Sequence, residues 1–420
     1  MHQGCSRSMR SIQIAGPSWV NCLSDGLARG ALRTGIRSLR SPASLTGSRR
    51  GVSRGWPVIG ATPAPAPRCP TRERNGEIMR GTSHPVTRKS GKALALLPLA
   101  AAGAWIAWSH LGLNRAGPLP PALPGRRSTL RTRAGRVNLY AADAQGGRPL
   151  LLIHSVNAAA NAYEVKPLYE HYRGHRPVYA LELPGFGHSE RADRIYTPRL
   201  MTDAILDAAA EIAGRHGGVA LDAIALSLPC AYLARAALER PDLISTLGLI
   251  SPTGFDARLS GHGPANTNRG KPLARGLAAF PLWGRPLFDA LVSRPSMRFF
   301  LEKTWGSRDI DEGLLAYDQL SARQPGAEHA PFSFLSGYLF PDDTTRVYEA
   351  LRLPVFMVHG ARGDFVDYRY VGDVAGRPNW TILRLPTGAF PHFENRAAVT
   401  NAYDAFLAAH PEARGHTKSG

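Results

Sequence analysis

Cysteine is scarce in this chain. There are four in 420 residues, and Cys5, Cys22 and Cys69 lie near the start, leaving Cys230 alone in the rest. Such a set supports neither a disulfide framework nor a CxxC metal site. The 14 histidines show no HExxH-type spacing, so no metal and no cofactor are expected. There is no internal repeat, which excludes solenoids and propellers. Acidic residues are nearly missing from the first third. Residues 1–92 hold sixteen Lys and Arg against Asp25, Glu73 and Glu77, and residues 93–136 add six arginines and no acid. From 137 onward the balance is even, 29 basic and 29 acidic. The formal net charge of +19 therefore belongs to a leader. A nucleic-acid-binding domain would carry its excess on the folded part, so no nucleic-acid partner is expected.

Residues 1–78 are rich in Arg, Ser, Gly and Pro, without sustained periodicity. So little apolar surface cannot offset the entropy of ordering, and the basic leader, 1–92, is expected to be disordered. Met79, followed by Arg80, Arg88, Lys89 and Lys92, is an alternative start. Residues 93–113 carry no Asp, Glu, Lys or Arg, and have Trp105 and Trp108 towards the far end. A helix of this length spans about 30 Å, a bilayer core, and tryptophan suits its interface. The expectation is a membrane anchor with the main domain periplasmic or extracytoplasmic. A cleaved signal peptide, a buried core helix and a cytoplasmic location are the alternatives. Residues 114–136, with Pro118, Pro120, Pro121 and Pro124 and then arginines, read as an extended linker.

The texture changes at Val137. Apolar runs at 137–141, 149–154, 177–182, 219–226, 246–250, 355–359 and 381–385 read as strands. Helical stretches lie between several of them, over 158–172, 200–213, 231–239 and 395–409. This alternation predicts an α/β fold, a doubly wound, mostly parallel sheet covered on both faces. Its core covers 137–255 and 351–411, a helical insertion covers 256–350, and 412–420 is a tail. Within the insertion, helices are expected over 276–291, 297–305 and 310–320.

One serine stands out. Ser227 follows the strand at 219–226 and precedes a helix that Pro241 stops. A serine on a strand-to-helix turn is set to project its hydroxyl above the sheet edge. Ala225 and Pro229 flank it where a G-x-S-x-G motif has glycines. Pro229 is tolerated because the first helical turn has no intrahelical acceptor for its N–H. A serine nucleophile needs a base and an orienting carboxylate. His392, in the loop after the last strand, is the candidate base. Asp364, after the penultimate strand, is the candidate acid, with Asp367 as the alternative. The N–H groups of Leu228 and Val156 are the candidate oxyanion donors. Asn157 is either a side-chain donor to substrate or a helix N-cap. Phe186 and Phe390 are expected to border the substrate.

These pieces together resemble the α/β-hydrolase superfamily, of the capped, serine-nucleophile type. The residues that carry the resemblance are His154-Ser155, Leu183-Pro184-Gly185-Phe186-Gly187-His188-Ser189, the turn at Ser227, the loop at Asp364 and Pro391-His392-Phe393-Glu394. The order Ser227, Asp364, His392 matches the family order of nucleophile, acid and histidine. The resemblance implies that 256–350 is a cap, and that the protein is an ester hydrolase working through an acyl-enzyme on a lipophilic small-molecule ester. The other readings are a carbon–carbon bond hydrolase or cofactor-free haloperoxidase on the same triad, and a non-catalytic lipid- or partner-binding member of the fold.

Overall fold

The structure is a computed structural model and describes residues 91–113 and 117–411. The expectations for the leader up to residue 90, for a start at Met79 and for the tail at 412–420 lie outside the described residues.

An eight-stranded sheet organises the chain, in the order β1-β2-β4-β3-β5-β6-β7-β8. The strands are β1 (Arg126–Thr132), β2 (Gly135–Ala142), β3 (Leu150–Ile153), β4 (Val178–Glu182), β5 (Leu221–Leu226), β6 (Ile244–Ile250), β7 (Val355–Gly360) and β8 (Trp380–Leu385). β2 pairs antiparallel with both β1 and β4, and all other pairs are parallel. Strands β3 to β7 are apolar along almost their whole length because helices cover both faces. One face is closed by α3 (Pro198–Arg215) and α4 (Pro229–Glu239). The other is closed by α2 (Lys166–Tyr172) and α13 (Arg396–Ala409).

The interval between β6 and β7 holds six helices. They are α5 (Pro272–Ala278), α6 (Gly284–Leu291), α7 (Arg294–Trp305), α8 (Glu312–Ala322), α9 (His329–Leu335) and α10 (Thr344–Ala350). The single helix expected over 276–291 is two, α5 and α6, divided around Pro281. The remaining helices, α11 (Gly372–Ala375) and α12 (Pro391–Glu394), are single turns.

Two stretches differ from expectation. The supposed linker 114–136 contains β1, which adds an exposed edge strand to β2, and its proline run packs down so that Ala122 and Leu123 are buried. Ala122 N–H donates to the Tyr140 hydroxyl at 3.0 Å. The supposed membrane anchor is a helix, α1 (Gly91–Leu111), but among the described residues no helix is long and apolar enough to cross a membrane. The run is rich in alanine and carries Ser109 and His110, which lower its hydropathy. Its far end docks on α6 instead. Trp105 Nε1 donates to Pro286 O at 3.0 Å, and the buried Ser109 hydroxyl donates to Asp289 Oδ2 at 2.5 Å.

Candidate active site

The register of the sheet fixes which residues meet at its carboxyl edge. Ile153 stands opposite Ala225, Leu226 opposite Ile250, and Ile250 opposite Val358. Continuing each strand places Ser155, Ser227, Ser251 and His359 in a row along that edge. Ser227 lies between β5 and α4 with φ of +57°, in the left-handed region that a non-glycine residue rarely occupies. Its N–H donates to Ile250 O at 2.8 Å, and its carbonyl accepts from Cys230 N at 3.1 Å. The strand ladder thus continues through Ser227 itself while the chain reverses into α4. Cys230 fills the space beneath: its thiol donates to Ala225 O at 3.1 Å, and burial pushes its pKa well up. It is a packing residue and not a nucleophile.

The two candidate oxyanion donors lie on the elements that follow β5 and β3. Leu228 is the N-cap of α4, and Val156 lies in the loop after β3. Among the described residues neither N–H has an acceptor. The loop is built tightly. His154 Nε2 accepts from Leu183 N–H at 3.0 Å, so Nδ1 carries the proton and donates to Ser155 O at 2.6 Å. Burial lowers the His154 pKa to about 4, against the pull of the Glu182 carboxylate, so the ring is neutral. The Asn157 side chain bonds within its own loop. Its Oδ1 accepts from Ala159 N at 2.7 Å, and its Nδ2 donates to Glu164 Oε1 at 2.7 Å.

The Leu183–Ser189 run wraps Glu182, which is fully buried. Glu182 Oε2 accepts from His188 N–H at 2.7 Å and Asn138 Nδ2 at 3.0 Å, and Oε1 accepts from Ala162 N–H at 3.2 Å. Burial alone would raise its pKa, but the bonds from His188 outweigh burial and hold it lowered. Gly187 has φ of +53°, and a Cβ there would sit 2.0 Å from Glu182 Oε1. Phe186, at 3% exposure, packs edge-on to His154 with ring centres 5.6 Å apart. Phe390, at 6%, packs edge-on to Trp305 at 5.0 Å. Both serve the core.

The relay is not assembled around Ser227. His392 is on α12, fully buried, and its Nε2 donates to the backbone carbonyl of Glu164 at 2.7 Å. Nδ1 has no partner, and burial lowers the ring's pKa to about 4. Asp364 is exposed and pairs with Lys303 of α7 at 3.0 Å. Asp367 bonds Arg369, through the backbone N–H at 3.3 Å and Nε at 3.1 Å, and the Arg369 guanidinium lowers its pKa. The next helix after Asp367 begins at Gly372. Among the described residues no hydrogen bond joins Ser227, His392 and either aspartate. Gly363 takes a φ of +96°, and Asp364 after it pairs outward with α7 of the insertion.

Glu164 is the residue that sequence reasoning missed. It lies in a 3-10 turn, Ala162–Val165, at 1% exposure. Its carboxylate accepts from Ser155 N–H at 2.7 Å, Ser155 Oγ at 3.0 Å and Asn157 Nδ2 at 2.7 Å. Burial raises its pKa to about 7, against the lowering effect of those bonds. A cleft of about 480 Å³ lies at the opposite, amino edge of the sheet, lined by Arg148, Arg176 and Asp222 among others. Its arginines pair with Asp222 and it holds no nucleophile.

No family model matches the chain, and no curated protein matches it in sequence. Solved structures do match it in shape. A probable hydrolytic enzyme from Pseudomonas aeruginosa is 18% identical with a TM-score of 0.53, over 70% of this chain and 97% of that one. An esterase from Thermogutta terrifontis is 18% identical with a TM-score of 0.51, over 69% and 100%. The chain has the α/β-hydrolase fold. A meta-cleavage product hydrolase from Pseudomonas fluorescens is similar at 17% identity and a TM-score of 0.50, over 67% and 97%. Within this fold, the 3-10 turn and α2 follow the β3 loop, so Glu164 reaches back to Ser155 beneath the site, where the row along the carboxyl edge begins.

Proposed function

We propose that the protein is a hydrolase that cleaves a small-molecule ester at Ser227. The observation that carries this reading is the turn itself. Ser227 is held at φ of +57° at the amino end of α4, and among the described residues the Leu228 and Val156 N–H groups have no acceptor. Attack of Ser227 Oγ on an acyl carbon forms the C–O bond and moves the carbonyl electrons to oxygen, where these two N–H groups can receive them. The serine proton needs a base. His392 keeps its own proton on Nε2, facing Glu164 O, so its free lone pair is on Nδ1. In this reading Nδ1 takes the serine proton and returns it to the leaving alcohol, and a backbone carbonyl orients the ring in place of an aspartate. Water then releases the acid from the acyl-enzyme. An apolar acyl or alcohol part suits the aromatic residues of the helical insertion, among them Phe288, Phe299 and Phe300.

A second reading, a non-catalytic binding member of the fold, is favoured by the missing bond between Ser227 and His392. A fluorophosphonate probe separates the two. The 420-residue protein should label at Ser227, and Ser227→Ala should not. Folded wild-type protein that stays unlabelled from pH 6 to 9 would establish the binding reading.

A further inference from the structure

Three parts of the site converge on one residue. The Glu164 side chain holds both the N–H and the hydroxyl of Ser155 and, through Asn157, the turn that presents the Val156 N–H. The Glu164 carbonyl holds the His392 ring. Asn161, the N-cap of the same 3-10 turn, donates to Asp318 Oδ1 of α8 at 2.7 Å and so ties the turn to the helical insertion. We propose that Glu164 is the positioning residue of the site and that its charge state switches the β3 loop between a locked and a loosened form.

The geometry supplies the reason. The Ser155 N–H and Asn157 Nδ2 that face the carboxyl can only donate, while the Ser155 hydroxyl donates to Glu164 and itself accepts from Asn157 Nδ2 at 3.1 Å. An ionised carboxylate can accept from all three, with charge-assisted strength. A protonated carboxyl must turn its own O–H towards Ser155 Oγ, which reverses that bond, and it holds the other two donors without the charge. The two forms therefore cannot hold the loop alike. Burial opposes ionisation and the donors favour it, so the balance falls near neutrality, at about 7. The ionisable groups facing Glu164 from other elements are Asp318 of α8 and His392 of α12. The Asp318 carboxyl is itself pushed well up, by burial and then by the Glu164 charge. His392 is held near 4, far below this range. A transition of the site near neutral pH belongs to the interacting carboxyls of Glu164 and Asp318, of which Glu164 is the one that holds Ser155, and not to the histidine.

The proposal deepens the hydrolase reading above, and its test has one arm that does not need activity. Hydrogen exchange of the Ser155 amide, corrected for intrinsic chemistry, should slow about tenfold or more as pH rises through about 7 in the wild type. In Glu164→Gln the amide places a donor against donors, so exchange should stay fast at every pH. Glu164→Asp, which keeps the charge, should restore part of the pH dependence. Labelling of Ser227 by the fluorophosphonate should follow the same profile. Exchange that is independent of pH in the wild type, or unchanged in Glu164→Gln, overturns the proposal even if Ser227 labels well. A pH-dependent exchange in a protein that never labels sustains the positioning role and rejects the hydrolase reading.

Discussion

His392→Gln is the most informative single change. The wild-type ring is buried, bonded through Nε2 and held neutral, with its pKa lowered from 6.5 to about 4 by burial. In the unfolded chain the same ring titrates at its ordinary value, so between the two pKa values the unfolded state binds more protons. Stability therefore rises with pH across this window, is complete above 6.5, and is lost as pH falls towards 4. The difference between 6.5 and about 4 is worth about 3 kcal/mol. His154 has the same shift, for the same cause, and contributes a similar loss. Glu164 works in the other direction. Its folded pKa is raised from 4.5 to about 7, so the folded state holds the extra proton, and stability falls as pH rises from 4.5 to 7. Over the shared window, 4.5 to 6.5, Glu164 offsets one histidine, and Asp318, whose carboxyl burial also raises, acts in the same direction as Glu164.

Between pH 6.5 and 4.5 the His392 ring by itself should thus cost the wild type up to about 3 kcal/mol. Glutamine keeps a donor near the Nε2 position, towards the Glu164 carbonyl, but cannot titrate. The variant should match the wild type within about 1 kcal/mol at pH 8 and lose up to about 3 kcal/mol less than the wild type between 6.5 and 4.5. Urea unfolding of both proteins at pH 8, 6.5, 5.5 and 4.5, with extrapolation to water, measures this. A variant that loses as much stability as the wild type would show that His392 is not the buried neutral ring described. If Nδ1 is the base for Ser227, the same variant also loses fluorophosphonate labelling, a readout independent of stability.

Two further expectations follow from the same geometry. Asp364→Asn removes one exposed pair with Lys303 and should cost at most about 1 kcal/mol, with Ser227 labelling unchanged; a dead enzyme would mean that this loop swings inward during the reaction. Gly187→Ala places a Cβ 2.0 Å from Glu182 Oε1 at a positive φ, and should lower stability by more than about 2 kcal/mol in thermal unfolding; a neutral result would show that the buried Glu182 cluster can yield.

Much of the fold was legible because central strands advertise themselves. Leu150–Ile153, Leu221–Leu226 and Val355–Gly360 are continuous apolar runs, and the chain order of strand, Ser227 and helix was enough to place the turn. β1 was not legible, since Arg126–Thr132 is an edge strand whose arginines look to water and resemble a charged linker. The helix at Gly91–Leu111 was legible as a helix but not as a docked one, because the partner of Ser109 is 180 residues away. The acid loop shows a subtler limit. Gly363 takes a φ of +96°, and the angle goes with the close approach of the loop to Lys303 O and Gly306 in the insertion. Which way Asp364 turns was decided by α7, not by its neighbours. Glu164 had no local signal. It is a single acid in an Asn-Ala-Tyr-Glu-Val-Lys stretch that reads as the solvated face of a helix, and only the return of the chain beneath β3 buries it.

The strain at the carboxyl edge bears on why a serine stands at 227. Left-handed backbone in a residue with a Cβ costs about 1–3 kcal/mol unless the surroundings over-determine it. Here they do. The Ser227 N–H is fixed to Ile250 O, and the Ser251 N–H, at φ of +47°, is fixed to Val358 O, so each turn continues the ladder one bond past its strand. A glycine at 227 would meet the same two constraints without the steric penalty, and Gly146, Gly217 and Gly218, with positive φ and open space around them, show that this fold uses glycine where only the angle is required. The one thing a serine adds is a hydroxyl, and among the described residues that hydroxyl makes no hydrogen bond, nor do the Leu228 and Val156 N–H groups have an acceptor. Strain retained at a residue whose hydroxyl holds nothing in the fold is the arrangement expected if Ser227 is the nucleophile proposed above.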